Sequence, residues 1–161
     1  MSMGVGEQSR RRIRERLDRL EQRYGSFPVN QTTLRVPREA YERAVDRSES
    51  GLADVYVEVR DDDDVLFVRG DDAWQLPHGQ TEAGESLEAG ARRLVRESTG
   101  VDVRIDGLVR ATIAGLRNGA DPNAEPVYRL VVVFIARATE SIDSEDARWR
   151  ESSPAVETEL V

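Results

Sequence analysis

The 161-residue chain carries 31 acidic against 23 basic residues, a net charge of −8, and no cysteine. That length allows one domain with a sizeable core, the missing thiols exclude disulfides and thiolate metal sites, and the acidic balance argues against a nucleic-acid partner. No apolar run nears the ~20 residues needed to span a bilayer, and the polar, arginine-rich N-terminus lacks a signal-peptide stretch, so a cytoplasmic chain without membrane contact is expected.

Residues 1–6 read as frayed. From Glu7 to Tyr24, Ile13, Leu17, Leu20 and Tyr24 recur at helical spacing among charged neighbours, which predicts an amphipathic helix ended by Gly25, Ser26 and Pro28. A second short helix starts at Pro37 and buries Ala40, Tyr41, Ala44 and Val45. Val55, Val57 and Val59 alternate with Tyr56, Glu58 and Arg60, the pattern of a half-buried strand. The aspartates 61–64 turn the chain into a returning strand over 65–68, and Gly70-Asp71-Asp72 turns it again. Residues 86–98 read as a helix with Ser86 as N-cap and Gly100 as its stop. Strands follow around 101–115, 127–137 and 147–150, with a loop at 119–126. The expected class is α/β with a mixed sheet and helices, not a regular βαβ array. Its expected division is a helical extension over 1–50, a domain over 51–152 and a loose tail over 153–161.

The stretch from Trp74 to Gly100 carries the chemistry. Pro77 and Gly79 fix a tight loop, and Gly84-Glu85 leads into a helix N-terminus, whose main-chain N–H groups suit an anion. Positions 94, 97 and 98 share one helix face, where carboxylates would converge on a metal ion. The segment resembles the Nudix box, Gly-x5-Glu-x7-Arg-Glu-U-x-Glu-Glu-x-Gly-U with U aliphatic. Gly79, Glu85, Arg93, Val95, Glu97, Gly100 and Val101 fall in register, preceded by Trp74-x-Leu76-Pro77.

The resemblance implies a Nudix fold, with a mixed sheet sandwiched between helices, and hydrolysis of a nucleoside diphosphate linked to another moiety. It implies Mg²⁺ or Mn²⁺ held by Glu97 and the Gly79 carbonyl, with Glu85, Arg93 and Gly100 shaping the box. His78, the only histidine, reads as a phosphate contact, a metal ligand or a catalytic base, against a solvent-facing loop residue with no special role, and Trp74, Gly79 and Glu82 are candidate substrate contacts. Two box glutamates are absent, replaced by Leu94 and Ser98. The alternative is therefore a catalytically impaired domain that binds a nucleotide or regulates without turnover. Glu88 stands near the site in sequence, and Glu125, Glu140 and Asp143 are outside carboxylates placed by location alone. Trp149 and Arg10-Arg11-Arg12 read as packing and as a solvated helix face. The family likeness further suggests a homodimer.

Every basic residue is arginine. An acidic chain without lysine resembles the proteins of halophilic archaea, whose salt screens surface repulsion to a Debye length of about 3 Å. A GC-rich genome is the competing explanation.

Overall fold

The computed structural model describes residues 4–151. Its elements in chain order are α1 (Val5–Tyr24), β1 (Val29–Val36), α2 (Arg38–Glu49), β2 (Asp54–Asp61), β3 (Asp64–Arg69), β4 (Trp74–Gln75), β5 (His78–Gln80), α3 (Leu87–Thr99), β6 (Val103–Asn118), β7 (Val127–Ala138) and β8 (Ala147–Glu151). The contacts form two compact units. One contains residues 4–54 with 110–132, the other 55–109 with 133–151.

In the first unit β1 runs parallel to β6, from Val29 opposite Ala111 to Val36 opposite Asn118, and β6 neighbours β7. Its core gathers Val36, Tyr41, Ala44, Ala114, Leu116 and Val127, with Ala40 and Val45 partly buried against them. The Tyr41 hydroxyl donates to the Glu125 carbonyl at 2.5 Å. Burial of that phenol, with Glu125 and then Asp121 adding negative charge, pushes its pKa up. The strand β1 is a departure from the expected helix-loop-helix extension. Helix α1 also begins earlier than expected, so Val5 and Gly6 are helical and Gly6 is buried.

In the second unit the order is β6-β7-β2-β3-β4, with β5 pairing β2 and β8 pairing β3. The β2–β3, β3–β4 and β3–β8 ladders are antiparallel, so the fold is α/β with a mixed sheet. Val55, Val57 and Val59 are fully buried, while Tyr56 and Arg60 on the opposite face are only partly covered. Asp62, at φ 53°, makes the tight hairpin turn that the aspartate run announces. Strand β5 occupies part of the stretch expected to be loop, held to β2 by the Val57 N–H donating to Pro77 O at 2.9 Å. The tail assigned to 153–161 lies outside the described residues. Among the described residues no helix is long and apolar enough to cross a membrane.

Candidate functional site

All residues of the box lie in the second unit, on β5, the loop after it, α3 and the turn that ends α3. Ser86 starts the helix with extended backbone, and its hydroxyl accepts the Ala89 N–H at 3.1 Å. Gly100 ends it in the left-handed region at φ 75°, its N–H donating to Arg96 O at 2.7 Å. Leu87, Ala91, Leu94 and Val95 are the buried face of α3, at the spacing that turns one stripe inward.

Arg93 leaves that helix to bind the loop. Its Nε donates to Glu85 Oε2 at 3.0 Å and its Nη2 to Glu85 Oε1 at 3.1 Å, a two-pronged pair. Nη2 also reaches the Gln80 carbonyl at 2.8 Å, and Nη1 donates to both Glu97 oxygens at 3.2 and 3.3 Å. Glu82 stands 3.6 Å from Nε. Glu85 Oε1 in turn accepts the Glu82 N–H at 2.9 Å, and the Glu85 N–H donates to Glu82 O at 3.0 Å. One guanidinium thus ties three carboxylates and a main-chain carbonyl into a single cross-brace between loop and helix.

The charges respond accordingly. The Arg93 hydrogen bonds hold the Glu85 carboxyl below the usual glutamate range, against partial burial that pushes it up, and the Glu82 N–H and the Arg93 charge add to the lowering. Arg93 is pushed up, chiefly by its bond to Glu85. A depressed carboxylate stabilises the fold above its unfolded value of ~4.3, and that contribution fades as pH falls through the lowered folded value. Glu85→Gln is therefore expected to be less stable than the parent near neutrality, with the gap closing in acid. Urea unfolding at stepped pH checks this, and a gap that widens toward low pH would contradict it.

Leu94 is 8% exposed and packs against Gly79. A Cβ placed on Gly79 would stand 2.5 Å from Leu94 Cδ2, so the loop rests on this leucine only because residue 79 has no side chain. Gly79→Ala is expected to cost about 1–3 kcal/mol through overpacking. In a Leu94→Ala background the same change is expected to cost far less, leaving a coupling of about 1 kcal/mol or more in the double-mutant cycle. Equal costs in both backgrounds would remove this contact from the description.

The Ser98 hydroxyl donates back to Leu94 O at 2.9 Å. Glu97 is 61% exposed but held by Arg93. The divalent cation of the resemblance does not fit this set. Position 94 offers a methyl group, the Ser98 hydroxyl faces its own helix, and Glu82, Glu85 and Glu97 surround a cation already. Among the described residues no three His, Asp or Glu side chains converge as metal ligands.

His78 is exposed and stacks on Tyr56, the rings 4.9 Å apart and 10° from parallel. Its Nδ1 lies 2.9 Å from Leu76 O. A carbonyl only accepts, so Nδ1 carries the proton, and Nε2 is the acceptor nitrogen of the neutral ring. The Trp74 ring has the Arg148 guanidinium 4.3 Å and that of Arg69 5.4 Å from its centroid. Trp149 lies on β8 opposite Leu66. Glu82 is exposed, Glu88 is half-buried, and Glu140 and Asp143 are exposed. Glu125 belongs to the first unit. Tyr56 escapes the sequence reading as a site residue. Its signal was its place on the outward face of a strand whose other face is valine.

A model of the NUDIX domain family matches residues 51–155, well over half of the chain. The chain belongs to this family. Among solved structures the NUDIX chain is similar to a UDP-X diphosphatase, at 22% identity over 61% of this chain and 49% of that one, with a TM-score of 0.48. It is similar to a NUDIX hydrolase from Nitrosomonas europaea at 23% identity, over 62% of this chain and 57% of that one, with a TM-score of 0.46. An ADP-ribose pyrophosphatase from Streptococcus suis aligns at 20% identity over 61% of this chain and 72% of that one, TM-score 0.45. The NUDIX chain spans 49% and 57% of the lengths of the first two, about half. No curated protein matches it.

Proposed function

We propose that this NUDIX chain binds a nucleoside diphosphate linked to another moiety at the 78–86 loop, and that it does not hydrolyse it by the family's metal-assisted route. The observation that carries the reading is the Arg93 cross-brace together with Leu94 under Gly79. The brace supports a fixed loop opening onto the N-terminus of α3, a setting favourable to phosphate oxygens. The same brace and the leucine use up the positions from which carboxylates would hold an ion. His78, exposed and with Nδ1 engaged by Leu76 O, is our candidate contact for the ligand through Nε2 rather than a base. Glu82, Trp74 and the Gly79 main chain complete the proposed contact set.

Metal-dependent hydrolysis is the second reading, with Mg²⁺ or Mn²⁺ on Glu97 and the Gly79 carbonyl and His78 as base. The 61% exposure of Glu97 favours it, since that side chain can turn away from Arg93 into solvent. Residues 51–152 are assigned the binding role. Cytoplasmic residence in strong salt and a homodimer belong to the same proposal, and sedimentation in molar salt tests the dimer.

A panel of nucleoside diphosphates and nucleoside-diphosphate sugars, screened in molar salt with and without Mg²⁺ or Mn²⁺, separates the readings. Binding without turnover gives a ligand-dependent rise in Tm and no phosphate-ester product. Product formation that disappears in Glu97→Gln would establish the hydrolase instead.

A further inference from the structure

We propose that a cavity in the first unit, between α1, the turn over 48–52 and β7, binds a small oxyanion, in chemical terms a phosphate group. The cavity has a volume of ≈ 150 Å³ and is lined by four arginines, Arg12, Arg16 and Arg19 of α1 and Arg129 of β7. Positions 12, 16 and 19 are four and three apart, so one helix face delivers all three. Arg129 enters from the sheet side with only 6% of its side chain exposed.

Part of this charge has a structural use. Arg12 donates to Ser48 O, Arg16 to Gly51 O at 2.8 Å and Arg129 to Leu52 O at 2.6 Å, so they meet the carbonyls at the C-terminal end of α2. Arg129 also pairs Asp54 at 3.3 Å. That use leaves a surplus. Each guanidinium has five N–H donors, and a single carbonyl takes one or two. Arg19 lines the cavity yet meets no carbonyl or carboxylate among the described residues. Glu15 is the carboxylate in the lining, against four cations, in a chain whose net charge is −8.

The surplus is felt as strain on the cations. Burial lowers Arg16, and the charges of Arg129, Arg19 and Arg12 lower it further. Burial likewise lowers Arg129, with Asp54 acting against that and Arg47 adding to it. A bound dianion reverses the sign of this repulsion for every member of the group. Size selects the ligand, because pockets for drug-sized molecules run to roughly 300–1,000 Å³. This cavity holds a phosphate group but not a nucleotide. The cavity shares no residue with the box, so its fate is independent of the function proposed above.

Inorganic phosphate titrated into the full chain by calorimetry and by thermal melting, at fixed ionic strength with chloride as background, tests it. Saturable binding is expected, with Tm rising by about 5–10 °C at ~100-fold excess over Kd. Arg16→Gln and Arg19→Gln are expected to weaken phosphate at least ~10-fold each, in line with the loss of a charge-assisted hydrogen bond. Arg19 is exposed, so its variant keeps the fold even if that of Arg16 does not, and circular dichroism without phosphate verifies this. A nucleoside 5′-monophosphate arm identifies the source. Binding equal to that of free phosphate marks a phosphorylated metabolite whose body stays outside, and weaker binding marks the free ion. A phosphate response no larger than chloride's, or one unchanged in Arg19→Gln, would overturn the proposal.

Discussion

Arg93→Met is expected to lower stability by about 2–4 kcal/mol and Tm by on the order of 10 °C. Arg93 is 23% exposed and Glu85 15%, so their two-pronged pair is only partly screened. Removing the guanidinium leaves Glu85 half-buried without its cation, brings three carboxylates into mutual repulsion, and frees the Gln80 carbonyl. Arg93→Lys is expected to recover only part of the loss, since an ammonium cannot reach two glutamates and a carbonyl in one plane. The change should be local as well as global. Amides over 79–86 are expected to exchange faster in Arg93→Met, while the valine strand 55–59 keeps its order of protection. A loop whose exchange stays at the parent's rate would show that the brace does not hold it.

Leu94→Glu combined with Ser98→Glu is expected to invert the chain's relation to metal. Without metal the double variant should be less stable by about 2–4 kcal/mol, because a charge enters a buried position beside Gly79. With Mg²⁺ or Mn²⁺ the new carboxylates, together with Glu97, share one helix face and supply a cation site, so stability should return. Hydrolysis of the bound diphosphate is then expected to rise at least ~100-fold over the parent, about 2.7 kcal/mol in barrier. If the double variant gains metal binding but no turnover, the helix face alone does not make the enzyme. If the parent already matches it, Leu94 and Ser98 do not impair catalysis.

The second unit was largely legible in the sequence because its signals are local. Valines at every second position marked β2, the aspartate run marked its hairpin, and Ser86 and Gly100 marked both ends of α3 to within a residue. Strand β1 was not legible. Its sequence, Val-Asn-Gln-Thr-Thr-Leu-Arg-Val, is mostly exposed and polar, and it is ordered by a parallel partner some 80 residues away. No local pattern encodes such a partner.

The site divides in the same way. The spacing of the box leads to Glu85, Arg93 and Glu97, and the i,i+4 relation of Arg93 and Glu97 is visible in it. The contacts that decide the chemistry join residues of different elements. The leucine methyl beneath Gly79 and the His78 ring on Tyr56 both depend on packing. Leu94 is apolar and on the inward stripe of α3, so burial takes it wherever the loop lies. Metal coordination and core packing compete for that position, and the side chain present decides for packing.

The most direct measurement is a Mn²⁺ titration of the unmodified chain followed by electron paramagnetic resonance, with Glu97→Gln alongside. Weak, unsaturating binding, the same in both proteins, is expected from an acidic surface without a built site. A single saturable site in the parent that vanishes in Glu97→Gln would contradict it.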